Sequence, residues 1–159
     1  MITRDELRES IGYDPETGKF TWLIDNSRTP KGSPAGAYDP RGYLRIQVKR
    51  RRYQAHRLAW LLMKGCWPDG EVDHIDGQKS NNAFSNLRVL TSAQNHQNIR
   101  RPRRDNIIGF LGVSKSGNRY RARIRVDGKT VNIGTFKTPS DAHAAYVEAK
   151  RRVHEFSTL

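Results

Sequence analysis

Residues Val72–Asn98 read VDHIDGQKSNNAFSNLRVLTSAQNHQN, and the fold of the chain is organised around them. Asp73-His74 places a carboxylate beside an imidazole at the end of a short strand. Ile75-Asp76-Gly77 leads out into a turn, because glycine permits the positive φ that tight turns need. Leu87-Arg88-Val89-Leu90 reads as a second strand. Thr91-Ser92-Ala93-Gln94 then has the form of a capping box, which puts Asn95 in the first turns of a helix. A ββα unit this small buries little, so its work is polar. One constraint follows from strand geometry. Neighbours in a regular strand point to opposite faces, so Asp73 and His74 share a site only where the strand ends or bends, and Gly77 and the polar loop supply such a place.

Phosphodiester hydrolysis needs an attacking water, a proton acceptor and a cation to offset charge at phosphorus and on the leaving oxygen. A histidine near its ordinary pKa suits the acceptor at neutral pH. Asp and Asn oxygens suit a hard cation, and Mg²⁺ keeps several waters while using one or two protein carboxylates. DHIDG, NN, NL and QN, in that order over about residues 55 to 98, resemble the HNH (ββα-metal) homing-type endonucleases of phage, in the form with a final Asn. The resemblance implies His74, Asn86 and Asn95 as motif positions and Asp73 as the metal-binding acid. His74 is then the expected general base, and Asp73 and Asn95 the ligands of Mg²⁺, for which Mn²⁺ can substitute. Asn86 is expected to tie the strands together and fix the loop that carries His74. Asn95 stands where many members have His, which leaves a single carboxylate.

The whole composition agrees with a polyanionic partner. The chain has 159 residues, a formal net charge of +13 and a pI near 10.4, and double-stranded DNA comes first among such partners. No basic amphipathic helix with a broad apolar face suggests a membrane, and no apolar run approaches spanning length. The opening MITRDELRES is too charged for a signal peptide. Cys66 is the one cysteine, so an internal disulfide and a Cys₄ or Cys₂His₂ zinc site are excluded. A reducing cytoplasm, that of the host cell for a phage-encoded protein, is the expected setting, and a monomer rather than an obligate oligomer the expected state. A hydrophobic content of 35% predicts several thin modules rather than one large core.

Along the N-terminal segment, Thr3-Arg4-Asp5-Glu6 is another capping box, opening a short helix. A turn at Asp14–Gly18 feeds a strand in which Phe20, Trp22 and Ile24 alternate with Thr21 and Leu23. After a Pro/Gly/Ser-rich loop at 27–36, Gly42–Val48 alternates as a strand. Lys49-Arg50-Arg51-Arg52 turns the chain back into Tyr53-Gln54, with Arg50, Arg51 and Arg52 expected at DNA phosphates. Ala55–Lys64 reads as a helix with Leu58, Leu61 and Leu62 inward, ended by Gly65. His56 lies outside the motif and is read as structural or supporting; for His96, phosphate contact and simple exposure both stand open.

Residues 99–106, IRRPRRDN, carry no apolar periodicity and form a basic linker, with Arg101, Arg103 and Arg104 expected along the DNA backbone. Beyond it, a strand is expected to begin at Phe110-Leu111-Gly112-Val113. Arg119–Val126 then alternates strictly: Arg119, Arg121, Arg123 and Arg125 on one face, Tyr120, Ala122, Ile124 and Val126 on the other. Asp127-Gly128 signals a hairpin, Thr130–Phe136 returns, and Pro139 opens a helix with Ala142, Ala145, Tyr146, Ala149 and Val153 facing a sheet. GV, the arginine-rich strand, IGTF and DAHAAY over these roughly 50 residues resemble the plant ethylene-response-factor (Apetala-type) DNA-binding domain. That resemblance implies that the sheet enters the major groove, where Arg reads guanine bidentately.

The expected fold class is α+β: an N-terminal β-rich segment (1–54), a ββα-metal HNH core (55–98), the basic linker (99–106) and a three-stranded antiparallel sheet packed on one helix (107–159). The expected function is that of a metal-dependent DNA endonuclease of homing type. The alternative is a non-cleaving DNA-binding regulator or phage packaging accessory on the same fold. Asp73, His74 and Asn95 occurring together favour catalysis, and an RNA-binding module ranks below both because stacking aromatics are not concentrated on the basic face.

Overall fold

The computed structural model describes residues 1–25, 29–99, 102, 105–126 and 128–154, without the side chains of 96 and 97. It is a mixed α+β chain whose described residues form small antiparallel sheets and four α-helices. The chain divides into two compact units, Met1–Ser92 and Ala93–Leu159.

In the first unit the sequence works through short elements around one core. Helix α1 (Arg4–Arg8) has the expected capping box, with Thr3 and Glu6 bonded reciprocally. Glu6 also takes the Lys49 ammonium at 2.7 Å, and that bond, with the Thr3 amide, holds its carboxyl down at about 2. Strands β1 (Ile11–Tyr13) and β2 (Phe20–Trp22) form a hairpin. A second sheet runs β3 (Ala37–Tyr38), β4 (Leu44–Val48), β5 (Arg51–Gln54). Only Lys49 and Arg50 make the β4–β5 turn, and both have positive φ, 47° and 63°. Arg51 and Arg52 already pair with Val48 and Gln47. Helix α2 (Ala55–Lys64) ends on Gly65 in the left-handed conformation, as a C-terminal glycine allows. Its Leu58, Ala59, Leu61 and Leu62 pack with Leu7, Ile11, Phe20, Ile46, Val48 and Leu87. Leu58 is fully buried; shrinking such a leucine to alanine costs about 2–5 kcal/mol. The same core therefore joins the N-terminal segment to α2 and to the next hairpin, β6 (Glu71–His74) and β7 (Leu87–Leu90).

Helix α3 (Ser92–Gln97) starts on the last residue of the first unit and otherwise belongs to the second. The sheet of the second unit has the order β10-β9-β8, with β8 at Val113–Ser116, β9 at Arg119–Val126 and β10 at Lys129–Phe136, covered by α4 (Pro139–Val153). The β9 alternation holds: Ala122 and Ile124 are buried against Ala142 and Tyr146, and the arginines are exposed. Two expectations need correction. The first strand starts at Val113, not Phe110. Gly112 adopts a φ of 77°, and a Cβ there would lie 2.1 Å from the Tyr146 ring, so Phe110–Gly112 turns over the helix instead of extending. The buried row of α4 also runs Ala142, Tyr146, Lys150, while Val153 is exposed. The Lys150 ammonium donates to the Ile99 carbonyl at 2.5 Å, which supplies the buried cation with a partner.

Candidate active site

The site is built on the turn between β6 and β7. The ladder is regular to its end, with Glu71 opposite Leu90, Asp73 opposite Arg88 and His74 opposite Leu87. Beyond His74 the loop has no strand partners, so its polar groups satisfy one another. Asp76 accepts from the Gln78 amide at 2.7 Å, the Asn81 side chain at 2.7 Å and the Asn86 side chain at 3.0 Å. Asn86 in turn accepts from the Asp76 amide at 3.0 Å and donates to the Asn81 carbonyl at 2.9 Å, while its backbone carbonyl accepts from the Ile75 amide at 2.9 Å. Burial on its own would raise the Asp76 pKa. The Asn81, Gln78 and Asn86 donors outweigh it and hold the carboxyl below its ordinary value. Asn86 thus fastens both ends of the loop that carries His74.

His74 is buried, 4% exposed. Its Nε2 lies 3.3 Å from Asn82 Oδ1. Its ring packs edge-on to His56 at 5.1 Å and beside Tyr43 at 6.1 Å. Burial pushes its pKa below the ordinary value; Lys79 adds to that, while the Asn82 bond and the Asp76 and Asp73 carboxylates pull the other way. The imidazole is therefore neutral at pH 7. His56, also buried, is driven to about 3 by burial first, then by the charges of His74 and Arg57. Lys79 sits 4.7 Å over the Tyr43 ring and donates to the Arg41 carbonyl at 3.0 Å, closing the loop against the turn before β4.

Asp73 goes to a different partner. Both Nε and Nη2 of Arg88 donate to its Oδ2, at 3.0 and 2.9 Å. The regular register explains this: residues directly opposite on an antiparallel pair have neighbouring side chains. The strand does not bend before His74, yet the Asp73 carboxylate still acts on the His74 ring through its charge. Asn95 is half-buried in α3, in the second unit. Among the described residues no three His, Cys, Asp or Glu side chains cluster as a metal cage. A single carboxylate such as that of Asp73 is a donor that a hard cation accepts, since most of the shell of Mg²⁺ is water.

Of the basic residues, Arg50 is at the β4–β5 tip and Arg51 and Arg52 are exposed on β5. Arg101, Arg103 and Arg104 lie outside the described residues, as does the side chain of His96. On β9, Arg121 donates to Ser116 Oγ at 2.9 Å, Arg123 to Ser114 Oγ at 3.2 Å and Arg125 to the Gly128 carbonyl at 3.1 Å. Arg119 is exposed at the start of the same strand.

Sequence reading did not single out Asn82, Tyr43, Lys79 or Arg88 as site residues. Tyr43 and His56 reach His74 only through the tertiary fold, and nothing local announces them. Asn82 had a signal: of the adjacent Asn81 and Asn82, one serves the turn, and the other is buried beneath it.

Residues 53–97 match the family model described as HNH endonuclease. The chain is 31% identical over 140 residues to a protein of Acanthamoeba polyphaga mimivirus named Uncharacterized HNH endonuclease L560, covering 86% of this chain and 64% of that one. It is 35% identical over 80 residues to Protein 3.8 of Escherichia phage T7, covering 48% of this chain and 65% of that one. The chain thus spans just under two thirds of the length of these relatives. Among solved structures, "DNA binding and cleavage by the HNH homing endonuclease I-HmuI" aligns at a TM-score of 0.44 and 26% identity, over 55% of this chain and 50% of that one. That likeness is partial.

Proposed function

We propose that the chain is a metal-dependent DNA endonuclease of homing type, with His74 as the general base. The observation that carries this is a buried, neutral imidazole on a loop locked by Asp76 and Asn86, inside the HNH stretch. His74 takes a proton from water as that water attacks phosphorus. Asn86 keeps the loop, and hence the imidazole, in place. Asp73 and Asn95 would supply oxygens to a divalent cation, Mg²⁺ or Mn²⁺. When bound, that cation offsets negative charge on the phosphoryl and leaving oxygens. In this reading 55–98 is the nuclease core, preceded by the β-rich segment 1–54, and 99–106 is a linker laid on DNA.

The second unit would be the reader, in the manner of the ethylene-response-factor type. Arg119, Arg121, Arg123 and Arg125 project from one face of β9, spaced about 7 Å apart as alternate strand residues are. Serine partners hold two of them extended, and a ribbon of this width fits a major groove. Arg50, Arg51 and Arg52, with Arg101, Arg103 and Arg104, would meet phosphates. The chain would act as a monomer on double-stranded DNA in a host-cell cytoplasm; among the described residues no helix is long and apolar enough to cross a membrane.

The second reading is a non-cleaving DNA-binding regulator or packaging accessory, and the Asp73–Arg88 ion pair favours it, since it engages the acid that a metal would use. Plasmid cleavage with and without Mg²⁺ decides between them. Cutting that requires the cation and is lost in His74→Ala is the expected result; an intact plasmid under every metal tried, with DNA still bound, would establish the regulator.

A further inference from the structure

A buried amide faces the Nε2 nitrogen of His74. Asn82 is 1% exposed, and its Nδ2 donates to the Ser80 carbonyl at 3.2 Å. Oδ1 is the atom turned toward the imidazole, 3.3 Å from Nε2, and an amide oxygen only accepts. The bond therefore requires the proton on Nε2, which makes Nδ1 the basic nitrogen. The opposite tautomer would bring two lone pairs face to face in a buried place and forfeit the bond.

Asn82 is itself clamped from the N-terminal hairpin. The Tyr13 hydroxyl donates to the Asn82 carbonyl at 2.8 Å, and the Phe84 amide donates to the Pro15 carbonyl at 2.8 Å. Gly18 lies against the peptide between them: a Cβ there would stand 2.3 Å from the Asn82 carbonyl carbon and 2.2 Å from the Ala83 nitrogen. The backbone on both sides of Asn82 is thus fixed by β1, β2 and their turn, all outside the stretch that matches the nuclease family.

We propose that Asn82 is the positioning residue that holds His74 as its Nε2–H tautomer, and that the β1–β2 hairpin belongs to the nuclease machinery because it holds Asn82. The inference rests on His74 as the base. Its test is the ring-nitrogen NMR spectrum of His74 in the full chain labelled with ¹⁵N-histidine, read beside plasmid cleavage. The parent is expected to show a protonated Nε2 and a bare Nδ1. Asn82→Leu, which keeps the volume and removes the acceptor, should lose that preference and cut about 10–100-fold more slowly, the scale seen when an imidazole's orienting partner is removed at metal-bound histidines. Asn82→Asp keeps an oxygen toward Nε2 and should restore the tautomer and most of the rate, and Tyr13→Phe should fall between. A parent His74 protonated on Nδ1 overturns the proposal without any variant. So does Asn82→Leu with unchanged ring signals and rate, or Asn82→Asp with the tautomer lost. Where Asn82→Leu does not fold, the parent spectrum and Asn82→Asp still decide. Failure of the base assignment shows separately, as His74→Ala that cuts at the parental rate.

Discussion

The β6–β7 loop and the outer face of β9 are both polar, and they use polarity in opposite ways. Around His74 the amides and carboxylates turn inward and bond to one another until the loop has a single arrangement. On β9 the arginines stay exposed, and among the described residues Arg121, Arg123 and Arg125 donate to two hydroxyls and a carbonyl. Among the described residues that positive charge is oriented without a carboxylate partner. A reacting group gains from being fixed within a fraction of an ångström, whereas a reading surface gains from cations that still need a partner.

The largest effect that would break this contrast is at His74. His74→Ala should lower the cleavage rate roughly 10²–10⁴-fold with affinity for DNA close to the parent; measuring turnover and gel shift together checks it, and a variant that cuts normally ends the base role. Chelation should silence the parent to a comparable degree, with Mg²⁺ or Mn²⁺ restoring it, and Asp73→Ala should not be restored. Activity undiminished in excess chelator would refute a metal-assisted reaction.

Next in size is an acid sensitivity confined to the first region. His56 titrates at about 3 in the fold and at its ordinary value near 6.5 when unfolded. Between those values the unfolded chain binds the extra proton, so the stability is present above about pH 6.5 and is lost as pH falls toward 3, by up to about 1.4 kcal/mol per pH unit. His74, lowered as well, adds in the same direction. Urea unfolding of His56→Gln across this window should show a flatter slope than the parent; equal slopes would mean that His56 is not held neutral.

Smaller again are the arginines. Alanine at Arg121, Arg123 or Arg125 should each cost about 1–3 kcal/mol on a preferred site and relax the preference there if bases are read. Uniform weakening on all sequences, with a salt slope reduced by about one per residue, would assign them to phosphates instead. Deleting residues 107–159 should leave a weaker and less selective nuclease. The finest distinction is Ser114→Ala or Ser116→Ala, which should weaken binding by less than about 1 kcal/mol, since a surface hydrogen bond that orients a side chain is worth about that. A loss equal to that of the arginine itself would make the serines contacts in their own right.

Legibility in the sequence followed the range of the interactions. Helix α2 and strand β9 were readable to the residue because period and end signals are local: Gly65 closes one, and strict alternation defines the other. The place of Asn86 in the loop was expected from the order of the polar residues, not from period or end signals. The Asp73–Arg88 pair required the register, which no short stretch of sequence specifies, and the Tyr43–His56–His74 cluster required three separated elements to meet. The burial of Lys150 had no sequence signal, because lysine is almost never fully buried and the Ile99 carbonyl it bonds lies in a segment with no signature of its own.

The β4–β5 tip shows where this chain departs from what folding alone would select. Lys49 and Arg50 both hold positive φ, a conformation that costs an ordinary residue about 1–2 kcal/mol, and a two-residue hairpin of this kind prefers Asn-Gly. Replacing the pair by Asn-Gly would relax the backbone and remove two cations from the most protruding point of the hairpin, together with the Lys49–Glu6 bond to α1. A stabilised variant made in this way would therefore be a more robust protein with a blunter surface, and screening for heat resistance alone would steer the sequence toward it.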